Sequence, residues 1–243
     1  MMMQERINSD AEGAILFDAA VSLQVGHEWF AADYWRDRDA LRTQSGGRGG
    51  VAIIATPAGE CVLRHYRRGG LVATLMGDRY LWTGADRTRP FMEFRLLAEI
   101  ARLGLPGPAV VAARYCRHGP FYGADLITRR IADAQTLAEC LAAGRLDGEL
   151  AEEVGALVAR FHRDGIWHAD LNAHNVLVAP NGLYLIDFDR GRQRTSAVAW
   201  QRANLLRLRR SLLKLGAVGQ DEATFEKSIW QPLLYRYGRT LNP

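Results

Sequence analysis

The stretch Trp167-His168-Ala169-Asp170-Leu171-Asn172-Ala173-His174-Asn175-Val176-Leu177-Val178, followed by Leu185-Ile186-Asp187-Phe188-Asp189, decides how the rest of the chain is read. It sets His168, Asp170 and Asn175 at the spacing H-x-D-x-x-x-x-N and puts a further aspartate, Asp187, directly behind an apolar run. Val176-Leu177-Val178 and Tyr184-Leu185-Ile186 flank Pro180-Asn181-Gly182, which reads as a β-hairpin turn. The loop therefore feeds a hairpin, and the hairpin delivers Asp187.

This set of groups suits phosphoryl transfer, in which a protein positions reactants and neutralises charge more than it performs covalent chemistry. Asp170 is the candidate acceptor of a hydroxyl proton. Asn175 and Asp187 are candidate oxygen ligands for Mg²⁺, a hard cation that prefers oxygen. His168 reads as a scaffold residue whose ring bonds the loop backbone. A lone loop aspartate is usually a turn former, but the fixed spacing and the Ile-Asp-Phe behind a hairpin favour chemistry. A rival metal set of His168, Asp170 and His174 explains neither the spacing of the two imidazoles nor the hairpin.

At 243 residues the chain is long enough for one large domain or two lobes. Lys plus Arg is 31 against 27 Asp plus Glu, and nearly all of the positive charge is arginine, which favours bidentate recognition of phosphates and carboxylates. A net charge of +4 is too mild to argue for a nucleic-acid partner. Cys61, Cys116 and Cys140 have neither metal nor C-x-x-C spacing, which fits a reducing compartment. No signal peptide or membrane-spanning run is expected.

Taken in order, Ala14 to Phe17 reads as a short strand and Ala31 to Leu41 as a helix. Gly46-Gly47-Arg48-Gly49-Gly50 precedes two strands, Val51 to Ala55 and Cys61 to Tyr66, joined by a tight turn. Glycines let a backbone approach phosphates, so Gly46, Gly47, Gly49 and Gly50 are candidate nucleotide contacts. Arg64 lies in the second strand as a candidate phosphate-pairing cation, with Arg67 and Arg68 as alternatives. Pro90 to Gly104 reads as a helix with Glu93 near its start, the candidate partner of Arg64. Strands at Val110 to Arg114 and Tyr122 to Ile131 lead to a lobe boundary, giving residues 1–130 and 131–243. Beyond it, Asp133 is a candidate N-cap for a helix from Thr136 to Ala143. A longer helix, Leu150 to Arg163, carries His162 in a structural role. Trp200 to Leu215 is amphipathic, with Leu205, Leu208, Leu212 and Leu215 as its apolar face and Arg202, Arg209, Arg210 and Lys214 around the rest. A final docking helix contains Trp230, Pro232, Tyr235 and Tyr237.

The glycine cluster, Val62-Leu63-Arg64-His65-Tyr66-Arg67-Arg68-Gly69-Gly70, Ala124-Asp125-Leu126-Ile127-Thr128 and the His168 to Asn175 segment together resemble the 3-deoxy-D-manno-octulosonic acid (Kdo) kinases. These belong to the lipopolysaccharide kinases of protein-kinase-like fold, and the resemblance runs from about residue 30 to the end. It implies an α+β fold of two lobes, the first an antiparallel sheet with one main helix, the second mostly helical. It also implies ATP and Mg²⁺ as cofactors, Kdo-lipid A precursor as acceptor at its 4-hydroxyl, and a peripheral position on the cytoplasmic face of the inner membrane. An arginine-rich chain suits an acceptor bearing carboxylate and phosphates and an anionic membrane surface; no obligate protein partner is evident. Asp189 stands where the usual D-F-G has glycine, and no activation segment of ordinary length is visible. A small-molecule kinase of the aminoglycoside or choline type, or a non-catalytic nucleotide-binding module, stands as the alternative.

Overall fold

The computed structural model describes residues 3–22, 24–43, 51–67, 78–217 and 221–242. The candidate nucleotide contacts Gly46, Gly47, Gly49 and Gly50, with Arg68, lie outside them. The chain divides into two compact units, residues 1–98 with 108–130, and residues 99–107 with 131–243.

The first unit is built on an antiparallel sheet. Its strands are β1 (Glu5–Ser9), β2 (Gly13–Asp18), β3 (Leu41–Thr43), β4 (Val51–Thr56), β5 (Gly59–His65), β6 (Tyr80–Leu81), β7 (Val110–His118) and β8 (Phe121–Arg129). Among the described residues their order is β1-β2-β7-β8-β5-β4-β3, with β6 paired to β8. Side chains alternate across a strand, so the β5 register sorts its residues onto two faces. Cys61 and Leu63 join Ile15, Phe17, Trp29, Trp35, Ile54, Val111 and Ile127 in one buried cluster. Arg64 takes the other face, its backbone opposite Val51 on β4 and Leu126 on β8.

The helix expected from Ala31 to Leu41 is shorter than its periodicity suggests. Helix α1 covers Ala32–Arg36, a turn follows in which Asp39 has φ of 54°, and Leu41 belongs to β3. A left-handed residue ends a helix. Trp35 is buried and donates its indole N–H to the Trp29 carbonyl at 2.7 Å, so this turn plugs the sheet. Helix α2 (Arg89–Arg102) buries Phe91, Phe94, Leu97 and Ile100 at a three-residue spacing.

The second unit is mostly helical: α3 (Leu137–Ala142), α4 (Gly148–Arg163), α5 (Val198–Lys214), α6 (Glu222–Phe225) and α7 (Gln231–Leu241), with a π-helical turn at Glu226–Trp230. The N-cap of α3 is Thr136, not Asp133. Thr136 and Glu139 form a reciprocal capping box, which satisfies two helix amides at once, while Asp133 sits apart with φ of 51°. Helix α4 is capped by Asp147, whose carboxylate accepts from the Leu150 amide at 2.9 Å. Its stripe of Ala151, Val154, Leu157, Val158 and Phe161 is buried. The backbone of α7 comes so close that a Cβ on Gly155 would lie 2.2 Å from the Leu233 carbonyl oxygen. Of the four leucines expected to share a face of α5, Leu205, Leu208 and Leu212 are buried, but Leu215 lies past the helix end and is exposed.

Candidate active site

In the first unit, Arg64 Nη2 lies 2.5 Å from Glu93 Oε2. Glu93 is 3% exposed, and its carboxylate also accepts from the Tyr66 hydroxyl. The Arg64 guanidinium lies 4.6 Å from the centre of the Tyr66 ring. A carboxylate this deep demands a cation and hydrogen bonds, and Arg64 and Tyr66 are both placed to supply them. Glu93 thereby aims a guanidinium from the sheet face opposite the Trp29 and Trp35 cluster. Arg67 is drawn elsewhere, 3.8 Å from Asp78.

In the second unit the loop from His168 feeds a hairpin of two strands, β11 (Val176–Ala179) and β12 (Gly182–Leu185), which also pairs with β9 (Gln135–Thr136). Its start and end are tied together at Ile186. The Ile186 amide donates to the Asn175 carbonyl at 3.0 Å, and the Ile186 carbonyl lies 2.9 Å from His168 Nε2. His168 Nδ1 accepts from the Asp170 amide at 3.1 Å. A ring that accepts at Nδ1 and donates from Nε2 is neutral with a defined tautomer. Burial pushes its pKa below the ordinary histidine value, which favours that same neutral state. His168 is thus a brace between the loop and the strand before Asp187, and the zinc-type set with His174 is excluded because both ring nitrogens face the backbone.

Asp187 has φ of 61°, in the left-handed region that non-glycine residues rarely enter. Such strain persists where surrounding structure holds it. The adjacent Phe188 provides that hold: fully buried, it stacks on Phe161 at 5.6 Å between ring centres and leans on His168 at 4.9 Å. Asn175 is 8% exposed and donates Nδ2–H to the Asp170 carbonyl at 2.9 Å, which leaves its amide oxygen as the candidate ligand atom. Asn175 and Asp187 both carry side-chain oxygens, and two protein ligands would suit Mg²⁺, which retains waters and phosphate oxygens.

Asp170 itself is exposed, with Oδ2 accepting from Asn172 Nδ2 at 3.1 Å and Oδ1 from Arg207 Nη1 at 3.1 Å. Below the loop, Asn204 Nδ2 donates to the His168 carbonyl at 2.9 Å, and Asn204 Oδ1 lies 3.3 Å from His162 Nε2. His162 Nδ1 lies 2.9 Å from the Tyr237 hydroxyl. This line of polar groups has one consistent arrangement, a neutral His162 that donates to Asn204 and accepts from Tyr237. Burial lowers the His162 pKa to about 4 and raises that of Tyr237 to about 12, so neither ionises near neutrality.

The model of the lipopolysaccharide kinase (Kdo/WaaP) family matches residues 32–231. The chain belongs to this family. It is 45% identical over 215 residues to a 3-deoxy-D-manno-octulosonic acid kinase of Xylella fastidiosa (strain M12), covering 88% of this chain and 86% of the relative. It is 50% identical over 205 residues to one of Stenotrophomonas maltophilia (strain R551-3), covering 84% and 81%. Among solved structures, WaaP in complex with acyl carrier protein matches with a TM-score of 0.51 at 17% identity over 82% of this chain and 78% of that one. A glucosamine kinase in complex with glucosamine, ADP and inorganic phosphate matches with 0.51 at 13% identity, covering 97% and 82%. At these identities the structures speak for the fold, which is the two-lobed α+β arrangement expected of protein-kinase-like enzymes. As a lipopolysaccharide kinase the chain is a phosphotransferase that uses a nucleotide.

Asp170, His168, Asn175 and the peptide before Asp187 are brought together in the second unit, and Arg64 and Glu93 are paired in the first. Sequence reading missed Tyr66, Asn172, Asn204 and Arg207. A signal for the last two exists: Asn204 and Arg207 each immediately precede a core leucine of α5, which puts them beside its buried stripe.

Proposed function

We propose that this chain transfers the γ-phosphate of ATP to the 4-hydroxyl of the Kdo residue of a Kdo-lipid A precursor, working peripherally at the cytoplasmic face of the inner membrane. The observation that carries the reading is likeness at 45–50% identity, over more than four-fifths of both chains, to enzymes named for Kdo phosphorylation. The braced Asp170 loop gives that reading a chemistry. Asp170 accepts the proton as the acceptor oxygen bonds the γ-phosphorus and the bond to the β,γ-bridging oxygen breaks, releasing ADP. Arg64, held by Glu93, pairs with the nucleotide phosphates, and the glycine cluster from Gly46 to Gly50 supplies backbone amides to them. Asn175 and Asp187 hold Mg²⁺, whose contribution is to neutralise phosphate charge.

The acceptor is anionic, and so is the surface in which it sits. Between Asp189 and Asp221 the chain has eight basic residues and no acidic one. On α5, Arg209 is neutralised by Glu222 and Glu226, whereas Arg202, Arg210 and Lys214 are exposed and make no ion pair among the described residues. Cations of this kind attract anionic lipid headgroups at roughly 1 kcal/mol each. No helix of the described residues is long and apolar enough to cross a membrane.

The test is transfer of labelled phosphate from ATP to Kdo-lipid A precursor, with Mg²⁺ or EDTA, beside Asp170→Ala. Labelling of the sugar that needs Mg²⁺ and disappears in the variant is the expected result. ATP turnover without labelling of that acceptor removes the Kdo assignment, and labelling unaffected by Asp170→Ala removes the base.

A further inference from the structure

Three side chains of α5 reach the catalytic loop, one at each of three successive points. Asn204 Nδ2 donates to the His168 carbonyl at 2.9 Å, Arg207 Nη1 to Asp170 Oδ1 at 3.1 Å, and Ser211 Oγ accepts from the Ala173 amide at 3.1 Å. Positions 204, 207 and 211 fall on one face of a helix, alongside the stripe of Leu205, Leu208 and Leu212 that anchors it in the core. The loop between β10 (Ile166–Trp167) and β11 has no ladder of its own, so its shape depends on such bonds.

We infer that α5 is a splint for the catalytic loop and that Arg207 is the positioning residue that fixes the carboxylate of Asp170. The inference rests on the proposed role of Asp170 as the base. Asn204 and Ser211 hold backbone, so they set where the loop lies. Arg207 holds the reacting group: with Asn172 on Oδ2 and Arg207 on Oδ1, rotation of the carboxylate about its own axis is checked from both sides. The Arg207 and Asp170 side chains are 47% and 60% exposed. An ion pair so wet adds little to stability, which makes a purely structural function a poor account of it. Orientation is another matter, since a misplacement of about 1 Å in a reacting group costs roughly 100-fold in rate. Arginine suits the task because its planar, always charged fork offers a directional donor.

The experiment measures kcat and both KM values, with ATP and Kdo-lipid A precursor, for Arg207→Met, Arg207→Lys, Ser211→Ala, Asp170→Asn and the double variant Asp170→Asn/Arg207→Met. The expectation for Arg207→Met is a kcat lower by about 10- to 100-fold, KM values within about twofold of wild type, and partial recovery in Arg207→Lys. In the Asp170→Asn background the same change should cost almost nothing further, because there is no carboxylate left to orient. Ser211→Ala, which frees one loop amide, should lower kcat several-fold, and it decides the matter with Arg207→Lys should Arg207→Met not fold. A raised acceptor KM at unchanged kcat would make Arg207 an acceptor contact and overturn the inference, as would losses that multiply in the double variant. Wild-type activity in Asp170→Asn would remove the base assignment and this inference with it. Inactive Asp170→Asn beside fully active Arg207→Met would remove the positioning role alone.

Discussion

Acid should loosen this protein through His162 before most carboxylates protonate. The ring is 2% exposed and lies between Asn204 and Tyr237, with its pKa lowered from 6.5 to about 4 by burial. In the unfolded chain it titrates near 6.5. Below that pH the unfolded state binds a proton that the folded state refuses, so stability is fully present above pH 6.5 and drains away as pH falls toward 4. At about 1.4 kcal/mol per pH unit the loss approaches 3 kcal/mol at pH 4, and about 2 kcal/mol is gone by pH 5. His168, whose pKa burial also lowers, adds in the same direction. The assay is urea unfolding of wild type and His162→Gln at intervals from pH 7.5 to 4.5. Glutamine can donate to Asn204 and accept from Tyr237 but cannot titrate. The gap between the two proteins should favour wild type most at pH 7.5 and narrow by about 2 kcal/mol at pH 5. Curves that stay parallel across the range would refute a neutral, buried His162.

Asp187→Ala should weaken Mg²⁺-dependent ATP binding by at least about tenfold, seen by calorimetry with and without EDTA; unchanged metal dependence would take Asp187 out of the site. Glu93→Gln should raise the KM for ATP about tenfold while the fold survives, because a neutral amide no longer balances Arg64; an unaltered KM would assign the pair to structure alone. Gly155→Ala should destabilise the protein by about 1–3 kcal/mol in thermal or urea unfolding, since its methyl group meets the Leu233 carbonyl. Phe188→Ala should cost about 3–5 kcal/mol by leaving a cavity against Phe161 and His168.

The parts of the site that sequence made legible are those whose chemistry and spacing are local. His168, Asp170, Asn175 and the hairpin leading to Asp187 lie within twenty residues, so a motif could show them. The Arg64 and Glu93 pair spans a longer interval but was reachable because the strand offers a cation, only partly exposed, and the next helix offers an acid in its first turns. Arg207 was harder to reach: its place before Leu208 puts it beside the buried stripe, but nothing in residues 198–214 says that it meets a loop 37 residues earlier. Elsewhere, tertiary context overrode local pattern. Glu5–Ser9 is a polar edge strand with every residue exposed, and it carries no apolar alternation to betray it. Leu41 left its helical period to complete β3, and Thr136 displaced Asp133 as a cap because Glu139 lies three residues beyond it.

Ile186 is tied on both sides of its Cα: its N–H donates to the carbonyl of Asn175, and its carbonyl meets the ring of His168. Turning over either of the two peptides that flank Ile186 would break one of these bonds, and swinging the buried Phe188 outward would open a void in the second unit. Inhibitors that capture a displaced phenylalanine would therefore have little to select from in this enzyme. If Asp170 is the base proposed above, compounds directed at its carboxylate meet a group already held by Asn172 and Arg207.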